Sequence, residues 1–288
     1  MCSPCSSPYL RFRPSEMIYA SPCKINIGLS VLARRSDGYH DIETAMVAVS
    51  DLCDVIEVIE RPSAQVEFSC GGIAVDCPPE SNLALRAYRA VAESYPIGGA
   101  FIHLHKRVPF GAGLGGGSSD AMAVIRGLSD CYALGLSPED MASIGASIGS
   151  DTPFFAYDTP MICSGKGEIM TPAPWLSDAL QGLHLTIVKP PFGVSTAQAY
   201  AGVAPGRREY PLSSLLSAPV EQWRECVVND FEKSVFALFP QLSQIKRSLY
   251  DSGAVYASMS GSGSAIYALS RDRIHADFDG CFVHRSVF

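Results

Sequence analysis

The chain has 288 residues, 47% hydrophobic and only 18% charged, which excludes general disorder and allows one large or two ordinary domains. A chain of this length buries about three-quarters of the surface its unfolded form exposes, so no disulfide or metal staple is needed. Its 22 Lys+Arg against 29 Asp+Glu give a net charge of −7, which argues against gripping nucleic acid or anionic membrane by general electrostatics. If the protein binds phosphates, it must do so locally, with backbone N–H groups and a few placed cations.

Residues 1–16, MCSPCSSPYLRFRPSE, have no apolar stretch of the kind a secretory signal carries, and read as a disordered extension with Met17 a candidate start. Of the ten cysteines only Cys2 and Cys5 lie close together, and one such pair does not make a zinc site. The other eight are scattered singly, as buried reduced thiols are. No apolar run reaches the 18 residues a membrane span requires, so a soluble, cytoplasmic protein is expected.

From Ile18 to about Glu60 the pattern is β. In K-I-N-I-G-L-S-V, Ile25, Ile27, Leu29 and Val31 alternate with Lys24, Asn26, Gly28 and Ser30, so Lys24 and Asn26 project together away from a core. The S-D-G of residues 36–38 is a turn, I-E-T-A-M-V-A-V returns, and V-I-E-V-I at 55–59 reads as a further strand. A helix is predicted from Ser81 to about Glu93, then a strand over 101–108. Residues 109–120, P-F-G-A-G-L-G-G-G-S-S-D, lead into a helix at 121–128, and Ser137-Pro138-Glu139 starts another. The Pro- and Gly-rich segment at 160–174 suggests a boundary between domains 17–165 and 166–288. A strand over 183–188, helices near 221–230 and 240–251, and a strand, glycine loop and strand over 255–269 follow. Trp175 and Trp223 read as packing residues, and the last twelve residues carry no motif.

Five of the seven residues from Gly111 to Gly117 are glycine, which lets the backbone approach a ligand and adopt positive φ. The helix that follows offers free N–H groups and a dipole that favour an anion. A flexible turn with a serine cap is the plain alternative; it accounts for one of Ser118 and Ser119 but not for the glycines. G-A-G-L-G-G formally matches the dinucleotide fingerprint, but the acid expected about 20 residues on falls inside a helix, and no Gly-Lys-Ser/Thr follows to make a Walker loop. His103 and His105 share one strand face, and without a third ligand they read as solvent-facing rather than metal-binding.

V-P-F-G-A-G-L-G-G-G-S-S-D resembles the central ATP motif of the GHMP kinases. S-P-C-K-I-N-I-G-L at 21–29 and M-S-G-S-G-S-A at 259–265 resemble that superfamily's N-terminal and C-terminal motifs, in the right order. Within it, Lys24 with Asn26, R-R-S-D-G-Y-H at 34–40 and G-S-D-T-P-F-F at 149–155 resemble the 4-diphosphocytidyl-2-C-methyl-D-erythritol kinase family. The resemblance implies a two-domain α+β fold: an N-terminal domain like ribosomal protein S5 domain 2 and a ferredoxin-like C-terminal domain. It also implies phosphorylation of the 2-hydroxyl of a cytidine-diphosphate-linked methylerythritol by ATP, with Mg²⁺ whose ligands the sequence does not reveal. The expected assembly is a monomer or weak homodimer, with no nucleic acid or membrane partner.

Residue by residue, the resemblance makes Asp151 the general base and Lys24 its charge-stabilising partner. An N-cap before Thr152-Pro153 is the structural alternative for Asp151. It places ATP at Asn82, Lys106, Pro109, Gly111, Gly113, Leu114, Gly115, Gly116, Gly117, Ser118 and Ser119. Asn26, Tyr39, His40, Asp151, Tyr200, Ser260, Gly261 and Gly263 would bind substrate, Tyr39 and Tyr200 by stacking on the cytosine. Two positions depart from the family pattern: Ala201 stands where a lysine is common, and Asp120 where an asparagine is. A GHMP kinase of other specificity, or an inactive nucleotide-binding protein on the same fold, are the competing readings.

Overall fold

The computed structural model describes residues 16–63, 65–75 and 77–288. The expected extension, apart from Glu16, and the Cys2–Cys5 pair lie outside the described residues. Two long antiparallel strands, β1 (Glu16–Arg34) and β2 (His40–Arg61), form the first hairpin around the predicted S-D-G turn, whose Gly38 has φ +87°. β2 runs unbroken through both stretches read as separate strands. One of its edges carries β1; the other is shared by β4 (Gly99–Lys106) at 55–61 and β5 (Met161–Ser164) at 44–46. β3 (Glu67–Gly72) adds in parallel beyond β4, and β6 (Ile169–Pro172) beyond β5.

Three helices cover one face: α1 (Leu83–Ser94), α2 (Gly116–Cys131) and α3 (Pro138–Ala146). Ala121, Met122, Val124, Ile125 and Leu128 of α2 pack on Ile56, Val58, Ile102 and Leu104, the inward positions of β2 and β4. The predicted start at Ser137 is a full capping box: its hydroxyl accepts the Asp140 N–H while the Asp140 carboxylate accepts the Ser137 N–H.

The second sheet holds β7 (His184–Lys189), β8 (Ala254–Met259), β9 (Ile266–Ser270) and β10 (Phe282–Val287), all antiparallel in the order β10-β7-β9-β8. This is the 4-1-3-2 order of a ferredoxin-like unit, as expected. The motif-free C-terminus supplies the fourth strand. Six helices belong to this half: α4 (Trp175–Leu180), α5 (Thr196–Ala201), α6 (Leu212–Leu216), α7 (Val220–Cys226), α8 (Phe231–Leu238) and α9 (Pro240–Asp251). The two halves share a core in which Cys23, Ile25, Ile27 and Val47 meet Leu185, Ile187, Trp223, Tyr256 and Tyr267.

Three expectations are corrected. A boundary at 165/166 would cut the β5–β6 hairpin, where Ser164 pairs with Ile169, so the first sheet extends to Pro172. The helix expected near 221–230 stops at Cys226, and a separate helix, α8, starts at Phe231: between them the Asn229 side chain accepts the Phe231 N–H and donates to the Met259 and Gly261 carbonyls, contacts a continuous helix would lose. Trp223 is fully buried, whereas Trp175 remains 37% exposed.

Candidate active site

The alternation of β1 sends Ile25 and Ile27 into the shared core and Lys24 and Asn26 into a cleft of about 420 Å³ between the halves. Lys24 is buried, and its ammonium donates to Asn26 Oδ1 and, at 2.8 Å, to the Gly113 carbonyl. At 3.3 Å lies the Asp151 carboxylate, which is one-third exposed. A buried ammonium is tolerated only with acceptors of this kind around it. Asp151 opens a short 3₁₀ turn (Thr152–Ala156), yet its side chain makes no capping hydrogen bond. The carboxylate faces the cleft rather than the helix end.

Two glycine loops meet beside this pair. A Cβ at Gly113 would lie 2.0 Å from the Ser260 carbonyl, and one at Gly261 would lie 3.1 Å from Asn26 Oδ1. Ser260 Oγ donates to the Gly113 carbonyl (2.9 Å) and accepts the Asn26 N–H (3.2 Å). Ser260 is fully buried, so it joins the loops rather than facing a ligand, while Gly261 and Gly263 line the cleft. Gly115 caps α2 with φ +68° and no side chain to occupy the helix's first N–H groups, which leaves them for an anion.

Lys106 does not line the cleft. Its ammonium is turned beneath the loop, paired with Asp54 and, at 2.9 Å, with Asp120. Asp54 also accepts the Arg107 and Val108 N–H groups (2.5 and 2.8 Å), which pins the strand end where the loop begins. Burial raises the Asp120 pKa to about 7; Lys106 opposes that rise and Asp54 adds to it. Burial works against the Lys106 charge too, but Asp120 and Asp54 override it and hold its pKa above the ordinary value. The asparagine expected at 120 is thus replaced by a carboxylate with its own buried partner.

Other predicted nucleotide residues divide similarly. Ser118 lines the cleft, but Ser119 is buried against the Ser21 hydroxyl (2.8 Å). Leu114 is buried in the core, and only its carbonyl acts locally, accepting the Lys24 N–H at 2.9 Å. Gly116 and Gly117 form the first turn of α2, and Pro109 is half-buried before it. Asn82 caps α1 through the Ala84 N–H and also borders a second cavity of about 350 Å³, walled by Phe68, Gly72, Ile73 and Val75.

At the far end of the cleft the expected aromatic cage has a different pairing. His40 stacks on Tyr200, with ring centroids 4.7 Å apart, so no base fits between those two rings. Tyr39 is 60% exposed and lies beneath Lys166, whose ammonium is 4.8 Å from the ring centroid. Lys166 lines the cleft from the β5–β6 turn, and sequence reasoning missed it because nothing in S-G-K-G marks it out. Thr44 was missed too; it accepts from the Asn26 amide and donates to the Gly28 carbonyl.

Among the described residues no group of three or more His, Cys, Asp or Glu converges as a metal site, and Asp151 is the one carboxylate on the cleft wall. His103 is tied through Nδ1 to the Ser69 hydroxyl at 2.6 Å, and His105 is exposed. No described helix is long and apolar enough to cross a membrane.

Residues 82–159 match the GHMP kinases N terminal domain and residues 214–286 the GHMP kinases C terminal domain. The 4-diphosphocytidyl-2-C-methyl-D-erythritol kinase of Porphyromonas gingivalis is 40% identical over 275 residues, covering 94% of this chain and 99% of that protein. The Cytophaga hutchinsonii protein of the same name is 40% identical, over 88% of this chain and 92% of its own. A crystal structure of 4-(cytidine 5'-diphospho)-2C-methyl-D-erythritol kinase superposes with a TM-score of 0.75 at 33% identity, covering 88% and 90% of the two chains. A homoserine kinase from Cytophaga hutchinsonii, at 17% identity and a TM-score of 0.69, shares the fold. The chain belongs to the GHMP kinases, within the 4-diphosphocytidyl-2-C-methyl-D-erythritol kinase family.

Proposed function

We propose that the protein transfers the γ-phosphoryl group of ATP to the 2-hydroxyl of 4-diphosphocytidyl-2-C-methyl-D-erythritol, giving ADP and the 2-phosphate, a step of non-mevalonate isoprenoid synthesis. The observation that carries the reading is the Lys24–Asp151 pair at 3.3 Å, held where both glycine loops meet. Asp151 accepts the proton of the attacking hydroxyl. Lys24 orients that carboxylate and faces the charge of the transferring group. The open N–H groups of the 111–117 loop and the α2 N-terminus receive the phosphates, so most of the catalysis is positioning and charge stabilisation. The adenosine half fits the 350 Å³ cavity beside Asn82 on the other flank of the loop.

Mg²⁺ belongs to this reaction because the chain supplies few cations for a polyphosphate. With one carboxylate on the cleft wall, the protein fits a metal that arrives bound to the nucleotide rather than one held by a resident site. At the other end, Tyr39, His40, Tyr200 and Lys166 face the cytidyl diphosphate, in the cytoplasm.

A coupled ADP-release assay with the cytidyl substrate, mevalonate and homoserine tests the reading. Turnover is expected with the cytidyl substrate alone. Asp151→Asn should lower kcat by about 10²–10⁴ while the KM for ATP stays within a few-fold. Turnover confined to mevalonate or homoserine, or an undiminished Asp151→Asn enzyme, would overturn it.

A further inference from the structure

The catalytic scheme leaves one buried titratable cluster unused. Asp120, Lys106 and Asp54 are each no more than 3% exposed and bring two carboxylates to one ammonium directly under the phosphate loop. A Cβ at Gly116, the first residue of α2, would lie only 3.3 Å from Lys106 Nζ. The polar and titratable groups around Asp120 come from four strands: Lys106 from β4, Asp54 from β2, the Ser21 hydroxyl from β1 at 2.9 Å, and the more distant Cys70 thiol of β3. With both carboxylates ionised the cluster carries one net negative charge beneath a loop that must accept a polyanion. With Asp120 protonated it is neutral, and Lys106 still pairs with Asp54.

We infer that Asp120 is a positioning residue that takes up a proton when nucleotide phosphates bind above it, so that nucleotide affinity falls as pH rises. The inference rests on reading residues 109–119 as the nucleotide loop. Its sign follows from the charges. Phosphate oxygens at the α2 N-terminus make ionised Asp120 less favourable and its proton more tightly held, so binding and protonation support each other. Because burial already places the Asp120 pKa near 7, the group is part-protonated at neutral pH and the effect falls in the pH 6.5–8.5 range. The same sign applies to folding: the carboxyl's contribution is full below its ordinary value of 3.8 and lost as pH rises through about 7.

The experiment is calorimetry of ADP binding by the full chain in two buffers of different ionisation enthalpy, for wild type and Asp120→Asn, across pH 6.5–8.5. Asparagine keeps an oxygen for Lys106 but cannot titrate, so the difference between the proteins cancels the protons carried by ADP itself. Wild type should take up a measurable fraction of a proton more than Asp120→Asn, and its affinity should fall roughly 3–10-fold further over the range. Ser21→Ala, which removes a donor to the ionised carboxylate, should move the wild-type transition to higher pH. It also keeps the test open should Asp120→Asn fold poorly. Equal proton uptake by wild type and Asp120→Asn, or equal weakening at every pH, would make Asp120 merely structural and overturn the inference. Failure of wild type to bind ADP at all would instead overturn the nucleotide reading, and the inference with it.

Discussion

Lys24 and Asp151 show what a motif can carry at the residue scale. Both are chemically specific residue types in a fixed context, and the fold brings their charged atoms to 3.3 Å across 127 positions of sequence. Lys166 shows what a motif cannot carry, since a lysine between two glycines is unremarkable until the hairpin sets it over Tyr39. Of the two lysines that line the cleft, Lys24 pairs with Asp151, so in the proposed reaction Lys166 is the one that meets the substrate's diphosphate. Lys166→Ala should therefore raise the KM for the cytidyl substrate by about 10-fold or more, with Lys166→Arg restoring most of it. Steady-state kinetics with each substrate varied checks this, because a general defect would raise the KM for ATP equally.

The loop and first turn of α2 act as one element. Gly115 is required twice, once for its left-handed φ and once because a Cβ would approach Lys24 Cε to 2.9 Å and Phe155 Cζ to 3.2 Å. Gly115→Ala should cost about 1–2 kcal/mol in backbone strain alone and should lower kcat further by displacing Lys24. Urea unfolding and kcat measured together separate the two effects; unchanged kcat would mean that Lys24 tolerates the contact. Elsewhere, elements with strong local signals matched expectation, such as the helix start at Ser137 and the S-D-G turn. Those decided by distant partners did not. β2 is continuous because β1 and two further strands pair along it, and α7 stops at residue 226 because Asn229 is claimed by the second glycine loop.

At the scale of the molecule, the apolar face of β1 and β2 is sealed by Trp223 of α7 and by Tyr256 and Tyr267 of the second sheet, so the halves bury one core in common. Trp223→Ala should destabilise the protein by about 3–5 kcal/mol. It should do so within a single unfolding transition, seen at the same denaturant concentration by near- and far-ultraviolet circular dichroism. Two separated transitions would show that the halves are independent. The cleft owes its position to the same packing, since its walls come from β1, the α2 loop, the β5–β6 turn, α5 and the β8–β9 loop.

The sequence by itself marked out the glycine loops and the β1 alternation, and the order of motifs resembling the GHMP kinases implied the fold class and the Lys24–Asp151 pair proposed for catalysis, because these are properties written in consecutive residues. It also indicated that phosphate is held by backbone and a few cations, since the net charge of −7 leaves no basic surface to do so. Only the tertiary structure decided that Lys106 faces inward, that His40 stacks on Tyr200, that the first sheet runs on to Pro172, and that Asp120 is buried on Lys106 and Asp54. In each case the deciding energy is pairing or desolvation between groups far apart in the chain: Asp54 and Lys106 are 52 residues apart, and His40 and Tyr200 are 160. Buried charge must find its counter-charge wherever the fold supplies it, and no local pattern records where that will be.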